Sequence, residues 1–363
     1  MIAMDERTLR TPALVVDVAV MDRNIKGMAD TVAVTGATLR PHAKTHKCLE
    51  IARRQYQAGA SGITVATVSE AEVFIEGGFD DVFIAYPWWM DEDRAGRVAA
   101  LTDQARIRLG CDSVVSGRRT AQVLDELGVS GRVEVLVEVD SGHHRSGVVA
   151  QHAGEVAAAV AQAGLPVVGV FTFPGHSYDP AGRAGVAAQE REALARAAEE
   201  VVAAGVSVSV ISGGSSPSMS YAEGGAITEF RPGAYVFNDA QQWELGACGE
   251  QDCALTAVTT VVSHAGGRLI LDVGSKVLGA DRPPYASGFG RLWGHPDARI
   301  VQLSEHHAVV EWGDSGRLPG LGERVRVVPN HCCNAVNLAD ALYIMDGGRV
   351  VDTWSVAAGR ANT

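Results

Sequence analysis

One lysine, Lys44, stands where a predicted strand ends and a predicted helix begins, a position where an amine can do covalent chemistry. The strand pattern covers residues 38–42, and the helix pattern runs from Lys47 to about Ala58. α/β barrels carry their active sites at the carboxyl ends of their strands, and a partly desolvated amine there can attack a carbonyl group. Alternation along a strand places His42 and Lys44 on the same side, so both could face a barrel interior. The alternative is a solvated lysine at the end of an ordinary strand.

Polar side chains also follow later strand patterns, and in a barrel they would line one mouth, where the Gly-Gly-Ser turn could bind a phosphate. They are Arg145 after the fifth strand, His176 and Tyr178 after the sixth, Gly213, Gly214 and Ser215 after the seventh, and Arg231, Tyr235 and Asp239 along and after the eighth. Glycine lets backbone amides approach an anion closely, and the loops after strands seven and eight form the usual phosphate site of such barrels. The alternatives are a plain Gly/Ser turn and structural roles for the arginines and for Tyr178.

A separate motif, His331-Cys332-Cys333, follows an apolar strand pattern at residues 324–328. Imidazole nitrogen and thiolate sulfur are ligands that zinc prefers, so His331 and Cys333 could hold one divalent ion, with water or substrate in the remaining positions. Two ligands define no complete site, and cysteine is often a small buried apolar residue. The motif therefore indicates a metal site, and Cys332 is a further thiol without an assigned role.

Strand patterns alternate with helix patterns from residue 11 to residue 239, which is typical of a parallel sheet with helical crossovers. The strand patterns after the first are residues 38–42, 62–67, 81–86, 106–111, 133–140, 166–173, 206–211 and 227–238. Strands of this number fit a closed (β/α)8 TIM-type barrel better than an open sheet. A doubly wound sheet is the alternative, but no Gly-x-Gly-x-x-Gly pattern follows the first strand.

Helix patterns nearly vanish after about residue 241, and short strand patterns separated by turns replace them. Residues 346–348, Asp-Gly-Gly, are typical of a hairpin turn. The change predicts a C-terminal β-strand domain, to which residues 13–18 could add a strand. We therefore expect a barrel domain at residues 19–240 and a β domain formed by residues 1–18 together with 241–363.

Composition and charge exclude several classes of protein. The net charge of −12 includes no long basic run, which disfavours nucleic acids and anionic membranes as partners. No apolar stretch is long enough to cross a bilayer, and residues 1–6 lack the pattern of a signal peptide. The six cysteines do not suggest a disulfide scaffold in a chain of this length. These features favour a cytoplasmic globular protein that acts on a small molecule.

The lysine after the first strand, the glycine-rich loop and the β domain together resemble the pyridoxal-phosphate (PLP) enzymes of the alanine racemase barrel type, also called fold type III. Within that group the sequence is similar to the D-serine dehydratase/D-threonine aldolase family. The similarity rests on residues 11–14 (Thr-Pro-Ala-Leu), 40–46 (Arg-Pro-His-Ala-Lys-Thr-His), 213–215 (Gly-Gly-Ser), 231–237 (Arg-Pro-Gly-Ala-Tyr-Val-Phe) and 329–334 (Pro-Asn-His-Cys-Cys-Asn). Residues 304–307, Ser-Glu-His-His, differ from the family's Ser-Glu-Glu-His at the third position.

The resemblance implies a role for each of these groups. Lys44 would bind PLP covalently and then act as the base for the proton on the substrate's Cα, with His42 and Tyr178 as further catalytic candidates. The implied cofactor-binding residues are Lys44, Arg145, His176, Tyr178, Gly213, Gly214, Ser215, Tyr235 and Asp239. His331 and Cys333 would hold a divalent ion, zinc or alternatively manganese.

The implied activity is that of a PLP- and metal-dependent lyase acting on D-3-hydroxy amino acids such as D-serine, D-threonine or 3-hydroxyaspartate. The family's dehydratase branch tends to have cysteine at the second ligand position and its aldolase branch aspartate, so Cys333 favours dehydration to a 2-oxo acid and ammonia. Retro-aldol cleavage to glycine and an aldehyde is the alternative. A racemase, with Tyr285 or Tyr343 as second base, and a non-catalytic PLP carrier are also left open. The resemblance further implies a homodimer.

Overall fold

The structure, a computed structural model, describes residues 4–314 and 316–363, so residues 1–3 of the predicted β domain lie outside it. The chain forms two compact units. The first, the β unit, contains the chain up to Gly27, Thr45–Arg54 and Ala234–Arg360. The second, the α/β unit, contains Met28–Lys44, Gln55–Gly233 and Ala361–Thr363.

The strands of the described residues are numbered in chain order. They are β1 (Met4–Asp5), β2 (Ala13–Asp17), β3 (Thr38–Leu39), β4 (Ile63–Val65), β5 (Asp81–Pro87), β6 (Arg106–Cys111), β7 (Val133–Glu138), β8 (Val167–Phe171), β9 (Val210–Gly213), β10 (Glu229–Phe230), β11 (Leu255–Ser263), β12 (Leu269–Leu271), β13 (Gly290–Leu292), β14 (His295–Leu303), β15 (Ala308–Glu311), β16 (Arg324–Pro329), β17 (Ala341–Asp346) and β18 (Arg349–Ser355).

The α-helices lie mostly between the strands of the α/β unit. They are α1 (Val18–Ala33), α2 (Leu49–Gln57), α3 (Val68–Glu76), α4 (Glu92–Leu101), α5 (Val114–Glu126), α6 (Ala153–Gln162), α7 (Arg183–Ala203), α8 (Ala240–Glu244), α9 (Ser275–Leu278) and α10 (Cys332–Asn337). Within the described ranges, none of these helices has the length and apolar character needed to cross a membrane.

The α/β unit is built on a parallel sheet of eight strands in the order β3-β10-β9-β8-β7-β6-β5-β4. All strand pairs in it are parallel, as the alternating pattern predicts. Just beyond β3, His42 forms an isolated parallel bridge with Thr64 of β4, the strand at the other end of this order. Apolar residues on both faces of the central strands are buried, which is typical of a parallel sheet covered on both sides.

Local capping explains where several of the helices begin. Side-chain oxygens of Thr67, Asp91 and Ser113 accept hydrogen bonds from backbone amides in the first turns of α3, α4 and α5. Each such bond satisfies a donor that the helix itself leaves unpaired, and its loss costs about 1 kcal/mol.

Aromatic side chains fill the centre of the parallel sheet. Phe83, Leu136 and Phe171 form a buried cluster, and the rings of Phe83 and Phe171 meet edge to face with their centroids 5.0 Å apart. The guanidinium of Arg231 lies 5.5 Å and 5.2 Å from these two ring centroids. A buried arginine is thus part of the core that supports the strands.

Paired charges occupy a second buried region of the α/β unit. Arg40 is 2% exposed and donates hydrogen bonds to Glu229 at 2.6 Å and to Asp81 at 2.8 Å. Arg108 donates to Glu134 at 3.0 Å. A side chain on Gly62 would place its Cβ 1.9 Å from the guanidinium of Arg40, so glycine is required there. Because each cation contacts a carboxylate, the charges are compensated despite their burial.

The β unit is built on an antiparallel sheet in the order β1-β18-β17-β2-β11-β12-β15-β14-β13-β16, with the exception that β2 and β17 are parallel. An additional pairing of β11 with β16 closes the strands from β11 to β16 into an antiparallel barrel. The prediction that residues 13–18 add a strand to this domain is confirmed, because β2 pairs with β11. The predicted hairpin turn is also confirmed, since Gly347 and Gly348 link β17 to β18 at φ values of 54° and 80°.

Three predicted strands of the α/β unit have bounds that are wrong by three residues or more. The first ends at Leu39, and the eighth is limited to Glu229–Phe230 because Pro232 follows it and has no amide hydrogen to donate. The seventh begins at Val210 instead of residue 206, after a helix end at which Gly205 has a positive φ. Apolar runs alone do not separate a strand from the turn beside it.

Candidate functional site

Lys44 lies in a 3-10 turn, Ala43–Thr45, that follows β3 and precedes α2, so it stands between strand and helix as predicted, although the strand ends at Leu39. The residue is half-buried, and its Nζ lies 5.6 Å from the centroid of the Phe173 ring. The guanidinium carbon of Arg145 lies 5.1 Å from the same centroid. Arg145 follows β7 and Phe173 follows β8, so the structure brings together residues from three predicted strand ends. Two cationic groups at one aromatic ring form a site that favours an anionic ligand.

His42 contacts the backbone of Lys44. The amide of Lys44 lies 3.4 Å from Nδ1 of His42, and the amide of His42 donates to the carbonyl of Pro232 at 3.0 Å. The expectation that strand alternation aligns the two side chains is wrong, because the chain turns at Ala43. The observed contacts of His42 hold the turn that carries Lys44.

Asp140 fixes the loop that carries Arg145. Its Oδ1 accepts hydrogen bonds from the amides of Gly142 at 2.9 Å and His144 at 3.0 Å, and its Oδ2 lies 2.7 Å from Nδ1 of His144. The side chain of Arg145 is 54% exposed, and its guanidinium lies 4.0 Å from the buried carboxylate of Glu138. Arg145 can therefore reach a ligand while its backbone is held in place.

In the predicted phosphate loop, the backbone amides of Gly214 and Ser215 already donate hydrogen bonds to protein side chains. Gly214 has a φ of +88°, and its amide donates to the carboxylate of Glu190. The hydroxyl of Ser215 lies 2.7 Å from that of Ser177, and its amide donates to the hydroxyl of Ser218 at 3.0 Å. The expectation that the amide of Gly214 binds a phosphate is thus corrected, because a protein carboxylate accepts that hydrogen bond. A cluster of serine hydroxyls is the part of the loop that suits a phosphate.

His176 and Tyr178 both lie in or beside a 3-10 turn, Gly175–Ser177, that follows β8. Nε2 of His176 lies 3.0 Å from Oε1 of Gln189, while its Nδ1 is buried without a hydrogen-bond partner. The His176 ring stacks over that of His143 at a centroid distance of 6.5 Å. Tyr178 is half-buried at the end of the same turn. An unpaired buried nitrogen is costly, so His176 is suited to a polar ligand atom.

Tyr235 and Asp239 belong to the β unit. Tyr235 is buried in a 3-10 turn, and Asp239 caps α8 by accepting from the amide of Gln242 at 2.9 Å. The other oxygen of Asp239 accepts from the amide of Cys332 at 3.1 Å. Burial raises the pKa of Asp239 to about 6. The observed contacts of Asp239 therefore support the segment that carries the predicted metal motif.

His331 and Cys333 lie at the start of α10, as the motif requires. Nδ1 of His331 lies 2.8 Å from Oδ2 of Asp281, and Asn334 donates to the other oxygen of that carboxylate. Sγ of Cys333 lies 3.3 Å from Oγ1 of Thr45, the residue that follows Lys44 in the sequence. Because Asp281 accepts at Nδ1, the imidazole presents its Nε2 to a ligand.

The charges around His331 and Cys333 favour a positive charge at this position. Burial opposes the charged imidazole, but the Cys333 thiolate and the Asp281 carboxylate raise the pKa of His331 to about 11. Over the described ranges, no group of three or more His, Cys, Asp and Glu side chains is arranged to hold a metal ion. The motif thus supplies two protein ligands, and the other positions of a metal would need water or substrate.

Two consecutive parts of the chain match known families. Residues 16–241 match the model of the alanine racemase N-terminal domain, and residues 254–345 match that of a putative serine dehydratase domain. The D-threo-3-hydroxyaspartate dehydratase of Delftia sp. (strain HT23) is 34% identical, with 96% of this chain and 97% of that protein covered. The chain belongs to the D-serine dehydratase/D-threonine aldolase family. Its fold is of the alanine racemase type, and it is an enzyme of the PLP-dependent fold type III group.

Two further comparisons support membership of the D-serine dehydratase/D-threonine aldolase family. The D-threonine aldolase of Arthrobacter sp. is 32% identical, with 96% of this chain and 92% of that protein covered. The solved structure of the Delftia dehydratase superposes with a TM-score of 0.90 at 32% identity, covering 97% of this chain and 98% of that one. A cysteine-to-alanine variant of that dehydratase has also been solved in a metal-free form.

Several residues of this family site were missed in the sequence. Phe173 ends the predicted strand pattern at residues 166–173, and Glu138 ends the observed strand β7, so their positions near strand ends were a usable signal. Asp281 lies 50 residues before its partner His331 in a loop, and Glu190 lies within a helix pattern. No local pattern identifies these last two, because only the folded chain brings them to their partners.

Proposed function

We propose that this enzyme is a PLP- and divalent-metal-dependent lyase acting on D-3-hydroxy amino acids. Its preferred reaction is the conversion of D-serine, or of a related substrate such as D-threonine or 3-hydroxyaspartate, to a 2-oxo acid and ammonia. The observation that carries the proposal is the 3.3 Å contact between Cys333 Sγ and Thr45 Oγ1. This contact links the residue beside the proposed cofactor lysine, Lys44, to the proposed metal motif.

The residues around Phe173 fit PLP. When bound, PLP supplies an electron sink for the charge that develops at the substrate's Cα. Lys44 would hold the cofactor covalently, and its amine would then take the proton from Cα. Arg145, which lies over the same ring as Lys44, would hold the oxygen or nitrogen of the cofactor ring.

The serine hydroxyls around Ser215 and the 3-10 turn Gly175–Ser177 fit the phosphate and the other polar atoms of PLP. The hydroxyl of Ser215 lies within a group of serines, and these hydroxyls would donate to the phosphate. Gly213 and Gly214 would place Ser215 toward that group, since both glycines pack closely against protein side chains. The buried Nδ1 of His176, which has no protein partner, would bind a polar atom of the ligand, with Tyr178 beside it.

The β unit fits a divalent ion, zinc or alternatively manganese. His331 and Cys333 would be its protein ligands, and Asp281 would fix the imidazole through Nδ1. When bound, such an ion supplies a Lewis acid that makes the substrate's β-hydroxyl a better leaving group. The metal-free form of the Delftia variant supports a metal in that relative and, by similarity, here.

Retro-aldol cleavage is the second candidate. The D-threonine aldolase relative covers nearly the whole chain, and its identity is close to that of the dehydratase. Both reactions need the same parts, and the bond aligned perpendicular to the cofactor ring decides between them. Cys333 favours dehydration, because cysteine at this position is typical of the dehydratase branch.

The finer fold assignment is also a proposal. The bridge between His42 and Thr64 joins the two ends of the strand order, which supports a closed (β/α)8 barrel. By sequence we propose residues 19–240 as the barrel domain and residues 1–18 with 241–363 as the β domain. The compact β unit also contains residues 19–27, Thr45–Arg54 and residues 234–240. The six cysteines form no disulfide bond within the residues that the structure describes, which favours a reducing, cytoplasmic location, and family resemblance favours a homodimer.

Product analysis tests the proposed reaction. The purified enzyme, supplied with PLP and Zn²⁺, is incubated with D-serine, D-threonine and D-3-hydroxyaspartate, and ammonia, 2-oxo acid, glycine and aldehyde are measured. Ammonia and oxo acid in equal amounts, absent with the Lys44→Ala variant, are expected. Glycine and aldehyde would establish the aldolase reaction instead, and no product from any of the three substrates would contradict the lyase proposal.

A further inference from the structure

A buried glutamate, Glu190, lies directly behind the proposed phosphate loop. It belongs to α7, is 2% exposed, and accepts a hydrogen bond from the amide of Gly214. A Cβ on Gly213 would lie 2.5 Å from Oε1 of Glu190 and 3.1 Å from the side chain of Leu194. The close packing of the Glu190 carboxyl therefore requires glycine at residue 213. The hydrogen bond between this carboxyl and the amide of Gly214 restrains residue 214.

The restraint acts on the shape of the loop. Gly214 has a positive φ, a conformation that glycine adopts at little cost, and its amide is held by the carboxyl of Glu190. The next residue, Ser215, turns into a 3-10 helix, Ser216–Tyr221, and its hydroxyl reaches that of Ser177. The Gly214 amide thus sets the direction in which the Ser215 hydroxyl leaves the loop.

We propose that Glu190 is a positioning residue for the cofactor's phosphate group, acting through the Gly213–Ser215 backbone. The inference rests on the proposed use of this loop to bind PLP. Glu190 touches the loop and not the ligand. It fixes the serine hydroxyl for phosphate binding and keeps the Gly214 amide from turning toward the ligand.

A purely structural glutamate would give a different result from a positioning residue. A structural role predicts that loss of Glu190 weakens every ligand of the site equally, through general loosening of the protein. A role through the phosphate loop predicts a loss confined to ligands that carry a phosphate. Pyridoxal, which lacks the phosphate but keeps the aldehyde and the ring, separates the two.

The test is a titration of the cofactor-free enzyme with PLP and with pyridoxal, followed by absorbance, for the wild type and variants. Glu190→Leu should raise the Kd for PLP about tenfold, as expected for loss of a buried hydrogen bond, and leave that for pyridoxal unchanged. Glu190→Gln, which can still accept from Gly214, should stay within about threefold of the wild type. Glu192→Leu, an exposed position on the same helix, is the matched control.

Equal weakening of PLP and pyridoxal binding, or no change in either, would overturn the inference. Glu190→Asp, whose shorter side chain withdraws the carboxyl from the amide, carries the same test if Glu190→Leu fails to fold, as judged by thermal unfolding without cofactor. A wild type that binds neither ligand would contradict the proposed function, and is thereby distinguished from a failure of the role of Glu190.

Discussion

Nδ1 of His331 lies 2.8 Å from Oδ2 of Asp281, and this carboxylate also accepts a hydrogen bond from Asn334. A carboxylate held in this way fixes both the orientation and the tautomer of the imidazole, so the opposite nitrogen is presented to a metal. The relationship explains why a motif with two protein ligands could still bind a divalent ion. It also makes Asp281 a residue whose effect on metal affinity can be measured.

The variant Asp281→Asn should weaken zinc binding by about 10- to 100-fold, because it removes the anionic partner of the imidazole. The measurement is a titration with Zn²⁺ in competition with a chromophoric chelator. Asp340→Asn, an exposed position of the same unit, is the control and should leave the zinc Kd unchanged. An unchanged Kd for Asp281→Asn would show that the carboxylate does not act on a metal ligand.

Removal of either proposed metal ligand should separate metal binding from cofactor binding. We expect His331→Ala and Cys333→Ala to lose bound metal and to lower turnover by about 100-fold or more, since a Lewis acid stabilises the leaving hydroxyl by several kcal/mol. The absorbance of bound PLP should remain. Cys332→Ala, at the neighbouring buried thiol, should retain the metal. Full activity of both ligand variants after treatment with a chelator would contradict the metal proposal.

Glu190 should make stability depend on pH. Burial raises its pKa from the ordinary value of 4.5 to about 7, although the amide of Gly214 and the cations Arg231 and Arg191 oppose this shift. Between these pH values the folded protein keeps a proton that the unfolded chain has lost, so the free energy of unfolding falls as pH rises and then levels off.

Glu190→Gln removes this contribution. The free energy of unfolding of the wild type, relative to this variant, should fall by at most about 3 kcal/mol from acid to mildly alkaline pH. Denaturant unfolding of the two proteins at both ends of this range measures the difference. Parallel pH profiles for the two proteins would show that the carboxyl does not keep its proton on folding.

Gly62→Ala should be strongly destabilising. The added Cβ would lie 1.9 Å from the guanidinium of Arg40, which is itself bonded to Glu229 and Asp81. Displacing a buried cation from its partners costs about 3 kcal/mol or more. Thermal unfolding tests this, with Gly96→Ala in α4 as control, since nothing lies within 4 Å of that position. Equal stability of the two variants would contradict the tight packing around Arg40.

Local sequence patterns were enough to find the residues that lie in short, distinctive segments. Lys44 was found from the segment around it, His331 and Cys333 from their spacing, and the β17–β18 hairpin from its Asp-Gly-Gly turn. The alternating strands and helices were enough to predict the parallel sheet. In each case the information lies within a few residues of the feature itself.

Features that depend on distant residues could not be predicted in this way. The partner of His331 lies 50 residues away, and the amide of Gly214 is occupied by a glutamate from the preceding helix. The strand before the 3-10 turn at Lys44 ends at Leu39, earlier than predicted, and the local sequence does not mark where that strand stops. Tertiary hydrogen bonds decide the partner of His331, the partner of the Gly214 amide and the turn at Lys44. A single sequence does not record such bonds.

The central claim is that the amine of Lys44 holds the cofactor, and the chain has only four lysines with which to compare it: Lys26, Lys44, Lys47 and Lys276. The most direct measurement is reduction of the PLP-loaded enzyme with borohydride, followed by peptide mapping by tandem mass spectrometry. We predict one pyridoxyl-phosphate label per chain, on Lys44, and none on Lys47, whose Nζ donates to Asn337 at 2.7 Å. A label on another lysine, or an enzyme that takes up no label, would contradict the account.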